Sequence, residues 1–454
     1  MENAKDRRIK ELERENAELR ELVKKLLARI EELERRLALN SSNSSKPPSS
    51  DGLRKKSKNR SLREMASHKF GGQIGHKGDT LKQADQPDIT IQYSVEKCSS
   101  CGNSLADTPV IEIVERQEID VVVKKVVTAH KVPVKVCCCG KKNTAVMPEH
   151  IKAPVQYGAN IRAMGVYFTN QFIAKDRISD IFQDLFQLSV SDTTLQAFDE
   201  ECAERLSPFN EAVLEAIKKA AVKHVDETGM RITSKTQWVH VISTALLTHY
   251  RVDPKRGNLL KGIVGKMVHD HWKPYFTIED VLHVLCNAHH LRELKALIEV
   301  DKEKWAQDMY TLLKEASYLE MPSPEQQREI SDKYDQIVTA GLKYHNGLKP
   351  FKRNSRKRRP GHNLLIRLRD FKVETLRFLY DPDVPFTNNL AERDLRMIKL
   401  KQKVSGSFRT EHGAHVFAII RSFVSTVKKQ NKNVFQYLES LFNDQFDLHS
   451  LVPG

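Results

Sequence analysis

Ala-Val-Lys-His-Val-Asp-Glu-Thr-Gly-Met-Arg-Ile, residues 221–232, contains the acid around which the predicted core is built. A short β-branched run carries Asp226 to its end, and Thr, Gly and a second strand-like run follow. Strand patterns also cover residues 238–245 and 246–252, and a helical stretch is expected around residues 258–263. The sequence therefore predicts closely spaced antiparallel strands that begin at Val222.

A second acid, Asp270, ends the strand-like run that starts at Met267, and a strand-to-helix passage follows over residues 281–294. Antiparallel strands, a helix and a fourth strand beside the first are typical of a ribonuclease H-like α/β core. In such a core the ends of the first and fourth strands are adjacent. We therefore expect Asp226 and Asp270 to lie close enough to share a metal ion.

A third acid, Glu392, follows Thr-Asn-Asn-Leu-Ala at residues 387–391, which predicts a capped helix start with a carboxylate on its first turn. Carboxylate oxygens suit Mg²⁺ or Mn²⁺, and two such ions can stabilise both oxygens of a phosphodiester displacement. A single Asp is more often a structural cap or ion-pair partner. The placement of Asp226, Asp270 and Glu392 together favours a catalytic site with two metal ions.

The 454 residues carry a formal charge of +15, which indicates a polyanionic partner such as DNA, although many other basic proteins share this composition. No apolar run is long enough to span a bilayer, and the charged N-terminal region has no signal-peptide pattern. A cytoplasmic location is expected, where cysteines serve as metal ligands or free thiols rather than disulfides.

Residues 1–40 predict a parallel coiled coil and hence a homodimer or higher homo-oligomer. Leucines recur every seven residues on one seam, with β-branched residues and Asn16 on the other: Leu12, Leu19, Leu26, Leu33 and Ile9, Val23, Ile30. A single solvated helix is the alternative. Residues 41–92 are rich in Ser, Pro, Gly and basic side chains, which predicts a flexible arm along DNA or a plain linker.

The cysteines predict a zinc-ribbon-like module over residues 93–147. Cys98 and Cys101 have the spacing of a zinc knuckle, and Cys137 and Cys139 are the second pair because a glycine follows each pair. Strand-like residues 111–136 separate the pairs. Cys138 would then not bind the metal, although the spacing leaves open which two of Cys137, Cys138 and Cys139 are ligands. The alternative is that all these cysteines are reduced thiols without metal.

The remaining segments predict a helical, helix-turn-helix-like region over residues 148–215, whose helices could equally be scaffold. The first part of the ribonuclease H-like core is predicted at residues 216–300, and a helical insertion with a basic run at residues 301–380. The closing helix of the same core is predicted at residues 381–430, and a C-terminal helix or tail at residues 431–454. Candidate DNA-binding residues lie on the Glu392 helix, in the basic run and after the fourth strand: Arg393, Arg396, Lys399; Lys352, Arg353, Arg356, Lys357, Arg358, Arg359; His289, Arg292. A solvated basic face is the alternative, and His283, Cys286, His289 and His290 also permit a second zinc site.

Residues 385–396 and 401–409 resemble the closing signature of the insertion-sequence sixty-six family of bacterial DDE transposases. Residues 43–51, 71–76 and 153–158 and the cysteine module also look like that family. The resemblance implies a ribonuclease H-like fold with a largely helical insertion, in which Asp226, Asp270 and Glu392 match the DDE positions. Cys286-Asn-Ala-His289 resembles a Cys-x-x-His element of several transposase families.

The resemblance further implies metal-dependent cleavage and strand transfer at the ends of an insertion sequence, with transposon ends and target DNA as partners and a location at the bacterial nucleoid. Two rival hypotheses stand beside it. One is a non-catalytic dimeric DNA-binding regulator, a decayed transposase, and the other is a metal-dependent nuclease without strand transfer.

Overall fold

A computed structural model of the chain describes residues 4–39, 43, 81–348 and 358–452. A long helix, α1 (Ala4–Ala38), covers the heptad region, as the spacing predicts. The seam residues Leu19 and Leu26 are 58% and 54% exposed. Most of the predicted basic arm, residues 44–80, lies outside the described residues.

The strands predicted between the cysteine pairs are mostly wrong. Regular pairing is confined to a short antiparallel hairpin of β1 (Val134–Val136) and β2 (Lys142–Thr144). Residues 109–133 adopt no regular secondary structure, and β-branched side chains such as Ile111 and Val122 are exposed. β-Branched residues favour strands only where a neighbouring strand supplies hydrogen bonds and a packing face.

Four helices follow: α2 (Ala159–Asn170), α3 (Lys175–Phe186), α4 (Asp192–Arg205) and α5 (Ser207–Lys219). A turn follows α3, with Gln187 in the left-handed region at φ 52°. Ser191 caps α4, because its Oγ accepts a hydrogen bond from the Thr194 N–H at 3.2 Å. Ile178, Phe182 and Leu195 are fully buried in the core that these helices share.

A five-stranded mixed sheet forms the centre of the fold. Its strands are β3 (Val222–Ile232), β4 (Lys235–Ser243), β5 (Thr248–Asp253), β6 (Gly265–His269) and β7 (Val281–Leu285), in the order β5-β4-β3-β6-β7. The first three strands pair antiparallel, and β6 lies parallel to both β3 and β7. The fourth strand thus lies beside the first.

The helical stretch expected around residues 258–263 is wrong, because this segment is a loop. Gly262 has a φ of +72°, a left-handed conformation that interrupts a helix. Ile263 is nevertheless buried and anchors the loop to the core beneath the sheet.

The remaining helices are α6 (Asn287–Ala296), α7 (Lys304–Ala316), α8 (Pro324–Asn346), α9 (Pro360–Asp370), α10 (Lys372–Tyr380), α11 (Asn389–Ser405), α12 (Glu411–Lys429) and α13 (Val434–Phe442). The helical insertion predicted for residues 301–380 contains α7 and α8, which share a separate core with α9. The C-terminal helix α13 docks against α2.

Helix α11 packs on β3 and β4, and α12 packs on β5. Met230 and Val241 from the sheet meet Leu395 and Phe417 from these helices in one buried cluster. This packing holds the first turn of α11 beside the sheet. Within the described ranges, no helix combines the length and apolarity needed to cross a membrane.

Candidate active site

Asp226 and Asp270 lie at the same level of the adjacent parallel strands β3 and β6. The prediction that Asp226 ends its strand is wrong, because β3 continues unbroken to Ile232. The pairing of β3 with β6 places His224 opposite Val268. Asp226 lies two residues beyond His224, and Asp270 lies two residues beyond Val268, just after the end of β6. The strand register thus places the two acids beside one another, Asp226 within β3 and Asp270 directly after β6.

The environment of Asp226 disfavours its charge. Burial raises the pKa of Asp226 well above its usual value, and the negative charges of Glu227, Asp270 and Glu392 raise it further. One carboxylate oxygen, Oδ1, accepts the Glu227 N–H at 2.8 Å. Because Asp270 and Glu392 both act on this carboxyl, the fold brings each of them within electrostatic range of Asp226.

Asp270 is held by the loop that follows β6. Its Oδ1 accepts the Trp272 N–H at 2.9 Å. Burial raises the pKa of Asp270, whereas the same N–H and the positive charge of Arg256 oppose that increase.

Glu392 lies on the first turn of α11, as predicted. Its Oε1 accepts a hydrogen bond from Arg292 Nη2 at 3.0 Å and lies 3.7 Å from His289 Nδ1. The part of the chain that the structure describes contains one group of three potential metal ligands within 4.8 Å of one another, and it consists of Cys286, His289 and Glu392. The carboxylate of Glu392 is therefore directed towards α6 rather than into a tight cluster with the two aspartates.

Asn388, which the sequence presents as a helix cap, has a different role. Its side chain does not cap α11. Instead, Nδ2 donates to the Val225 carbonyl at 2.8 Å, and Oδ1 accepts from His224 Nδ1 at 2.9 Å. The Asn388 backbone N–H donates to Cys286 Sγ, with an N–S distance of 3.1 Å. This buried residue thus ties the start of α11 to β3 directly before Asp226.

Sequence reasoning also missed Glu227, which is buried next to Asp226. Its carboxylate accepts hydrogen bonds from Tyr275 and from Arg256 Nε, the latter at 2.8 Å. Arg256 in turn lies over the rings of Trp238 and Trp272, with its Cζ 4.9 and 4.2 Å from their centroids. These contacts link Glu227 to the loop that carries Asp270. No spacing rule could have paired Glu227 with Arg256.

The predicted DNA-binding residues lie in different surroundings. Arg393 and Arg396 are exposed on α11, whereas Lys399 Nζ donates to the Gly229 carbonyl at 3.0 Å and burial lowers its pKa. Arg292 is engaged by Glu392, and burial together with nearby arginines lowers the pKa of His289 to about 3. Arg358 and Arg359 directly precede α9, and four residues of the basic run lie outside the described residues: Lys352, Arg353, Arg356 and Lys357.

The two cysteine pairs form similar turns. The Gly102 N–H donates to the Cys98 carbonyl at 3.0 Å, and the Gly140 N–H donates to the Cys137 carbonyl at 2.8 Å. Both glycines have positive φ, and nearby N–H groups lower the pKa of Cys98 and of Cys137. Among the described residues these sulfurs do not gather into a group of three within 4.8 Å of one another. The structure thus builds two knuckle-like turns without bringing them together.

The amino-acid sequence was compared with models of known protein families and with curated proteins. The model of a family of unknown function (DUF6444) matches residues 2–82. No curated protein matches the chain. The model described as Transposase IS66 family matches residues 155–416, which include the sheet, the insertion and all three acids. Because this match spans more than half of the 454 residues, the chain belongs to the Transposase IS66 family.

Proposed function

We propose that this transposase is a DDE enzyme with a ribonuclease H-like core, in which Asp226, Asp270 and Glu392 bind two Mg²⁺ or Mn²⁺ ions. Membership of a transposase family implies a DNA-acting enzyme. The observation that carries the finer proposal is the register of β3 and β6, which places Asp226 and Asp270 at the same level, together with the effect of the Glu392 charge on Asp226.

The residues present fit hard divalent cations. Asp226 and Asp270 are half-buried, and the negative charges around Asp226 reinforce one another. Carboxylate oxygens are the ligands that Mg²⁺ prefers, and cations here would offset this charge. When bound, such ions stabilise the attacking and leaving oxygens of an in-line displacement.

The chain itself positions these acids. Asn388 fixes the start of α11 against β3, and Arg292 orients the carboxylate of Glu392. Arg393 and Arg396 lie exposed on the same helix, where they can contact DNA phosphates. Water attacks the phosphodiester at the element end and leaves a 3′-hydroxyl, which then attacks target DNA. No covalent protein–DNA intermediate is involved.

The other predicted segments serve this chemistry by holding DNA. The net charge of +15 favours association with a polyanion. We propose that α1 pairs with α1 of a second copy, and that the cysteine turns close around a structural Zn²⁺ once four thiolates are gathered. The arm, the ribbon and the helical region α2–α5 then bind the transposon ends.

A pre-cut DNA end tests the proposal. The full-length protein is given Mg²⁺, a supercoiled plasmid, and a duplex that ends in the element's terminal repeat with a free 3′-hydroxyl. A strand-transferring enzyme joins the two DNAs. A nuclease nicks without joining, and a regulator binds without either reaction; each result would reject the proposal. Asp270→Asn should abolish joining, whereas Asp280→Asn, an exposed acid at the start of β7, should not.

A further inference from the structure

Two helices begin at one point beside the candidate active site. Cys286 immediately precedes α6, and His289 lies on the first turn of that helix. Glu392 lies on the first turn of α11. Potential ligand atoms of these three side chains all lie within 4.8 Å of one another. This is a spacing that one coordinated cation requires.

The donor set differs in kind from the three acids. It offers one sulfur, one imidazole nitrogen and one carboxylate oxygen. Sulfur and nitrogen ligands select cations of the Zn²⁺ class, whereas Mg²⁺ prefers oxygen ligands alone. A thiolate and a carboxylate together supply two negative charges, which match a divalent cation, and three protein ligands leave one position open.

The surroundings of the three residues suit a cation. His289 Nδ1 is buried without a hydrogen-bond partner among the described residues. Burial and neighbouring arginines keep this imidazole neutral, which is the form that binds metals. Burial and the charge of Glu392 raise the pKa of the Cys286 thiol to about 12, and the N–H of Asn388, which donates to Sγ, opposes that increase. The thiol would therefore release its proton when it binds the cation. The carboxylate of Glu392 is fixed by Arg292 on the side of α6.

We propose that Cys286, His289 and Glu392 form a binding site for a transition-metal cation of the Zn²⁺ class, which competes with Mg²⁺ for Glu392. The competition rests on the proposed function, because it requires Glu392 to be a ligand of the catalytic ions. The site itself does not, since Cys286 and His289 have no part in the carboxylate chemistry.

Metal counting on the full-length protein tests the site. After incubation with Zn²⁺ and removal of the free ion, Cys286→Ser and His289→Gln should each hold one Zn²⁺ per chain fewer than the wild type. Cys202→Ser is the matched control, because Cys202 is also a buried thiol but lies on α4 away from these ligands. It should keep the full count. The expected difference of one ion is independent of whether the N-terminal cysteines bind zinc.

Cobalt supplies a spectroscopic readout of the sulfur ligand. A thiolate-to-Co²⁺ charge-transfer band should weaken in Cys286→Ser and persist in Asp226→Asn and Asp270→Asn. If the protein proves to have no strand-transfer activity, the cobalt spectra should still show the Cys286 band. The test of the Cys286–His289–Glu392 site is therefore separate from the test of the proposed transposase chemistry. Full zinc counts in both Cys286→Ser and His289→Gln, or loss of the ion in Asp226→Asn, would overturn the site.

The competition is tested by strand cleavage in Mg²⁺. Zn²⁺ at a concentration that fills the site should lower the wild-type rate at least about tenfold, and the ratio of rates without and with Zn²⁺ should fall towards 1 in His289→Gln. A wild-type rate that is unchanged when the site is filled would reject the competition.

Discussion

Asp226 carries a carboxylate whose charge the folded protein disfavours. Burial and the neighbouring acids raise its pKa, so the folded state holds a proton that the unfolded state releases above about pH 4. The contribution of Asp226 to the free energy of unfolding is therefore lost as the pH rises from the pKa of Asp226 in the unfolded chain through its higher pKa in the folded protein. A divalent cation that binds the deprotonated acids would reverse this loss.

Asp226→Asn should consequently stabilise the metal-free protein near neutral pH. The melting temperature in a chelator should rise by roughly 2–4 °C, the shift that about 1 kcal/mol produces in a domain of moderate size. The difference should vanish below about pH 4, where the wild-type acid is protonated in both states. Added Mg²⁺ should raise the melting temperature of the wild type only. A lower melting temperature for Asp226→Asn in the chelator at neutral pH would contradict this electrostatic description, and Asp280→Asn serves as the control.

Asn388 offers a second test at the scale of single residues. Asn388→Ala removes the amide that bonds His224 and the Val225 carbonyl, leaving buried polar groups unpaired. The free energy of unfolding should fall by about 2–3 kcal/mol. Asn389→Ala is the matched control, because Asn389 is exposed one residue further along, and its effect should stay within about 0.5 kcal/mol. Equal losses in urea denaturation would argue against a bridging role for Asn388.

At the scale of elements, strand periodicity predicts much of the sheet. The runs from Val222 and from Val281 begin β3 and β7 as predicted, and Asp270 directly follows the end of β6. Asp226, in contrast, lies within β3 rather than at a strand end. The sequence does not reveal which partners an extended run will find. Of the strand-like residues 111–136, only Val134–Val136 pair in a strand. Asn388 shows the same limit, because a cap and a cross-link to β3 are indistinguishable in the sequence.

The exposed seam of α1 gives a prediction for one helix. Leu19→Lys together with Leu26→Lys should place charges at the core positions of a coiled coil and convert a dimer to a monomer. Glu21→Lys with Ala28→Lys places charges at positions that face away from the partner and should leave the dimer intact. Light scattering decides between these outcomes. A wild-type protein that is monomeric, or a leucine variant that stays dimeric, would reject the α1 pairing.

The cysteine turns supply another prediction at this scale. Replacing Cys98 and Cys101 by Ser should remove about one bound Zn²⁺ per chain, because each turn contributes half of a four-thiolate site. Cys138→Ser should retain the ion if Cys137 and Cys139 are the ligands. Metal analysis of the full-length variants gives the count, and an unchanged zinc content in the double variant would exclude the ribbon site.

At the scale of the whole molecule, the basic charge should govern DNA affinity. Arg393→Glu and Arg396→Glu remove exposed cations from the helix that carries Glu392. Each lost phosphate contact should reduce the slope of log affinity against log salt by about 0.9, whatever the DNA sequence. Arg328→Glu changes an exposed arginine on α8 and is the control. Identical salt slopes for the wild type and both α11 variants would place DNA elsewhere on the protein.

The three acids proposed to bind the catalytic ions come from three parts of the fold: β3, the residue directly after β6, and the first turn of α11. A change of ligand chemistry tests this proposal most directly. Cleavage of element-end DNA is measured for Asp226→Cys and Asp270→Cys in Mg²⁺ and in Mn²⁺, with Asp280→Cys as control. Because Mn²⁺ accepts sulfur more readily than Mg²⁺, both variants should be inactive in Mg²⁺ and regain cleavage in Mn²⁺. Near-normal cleavage in Mg²⁺, or folded variants that remain inactive in both metals, would contradict direct metal binding by these residues.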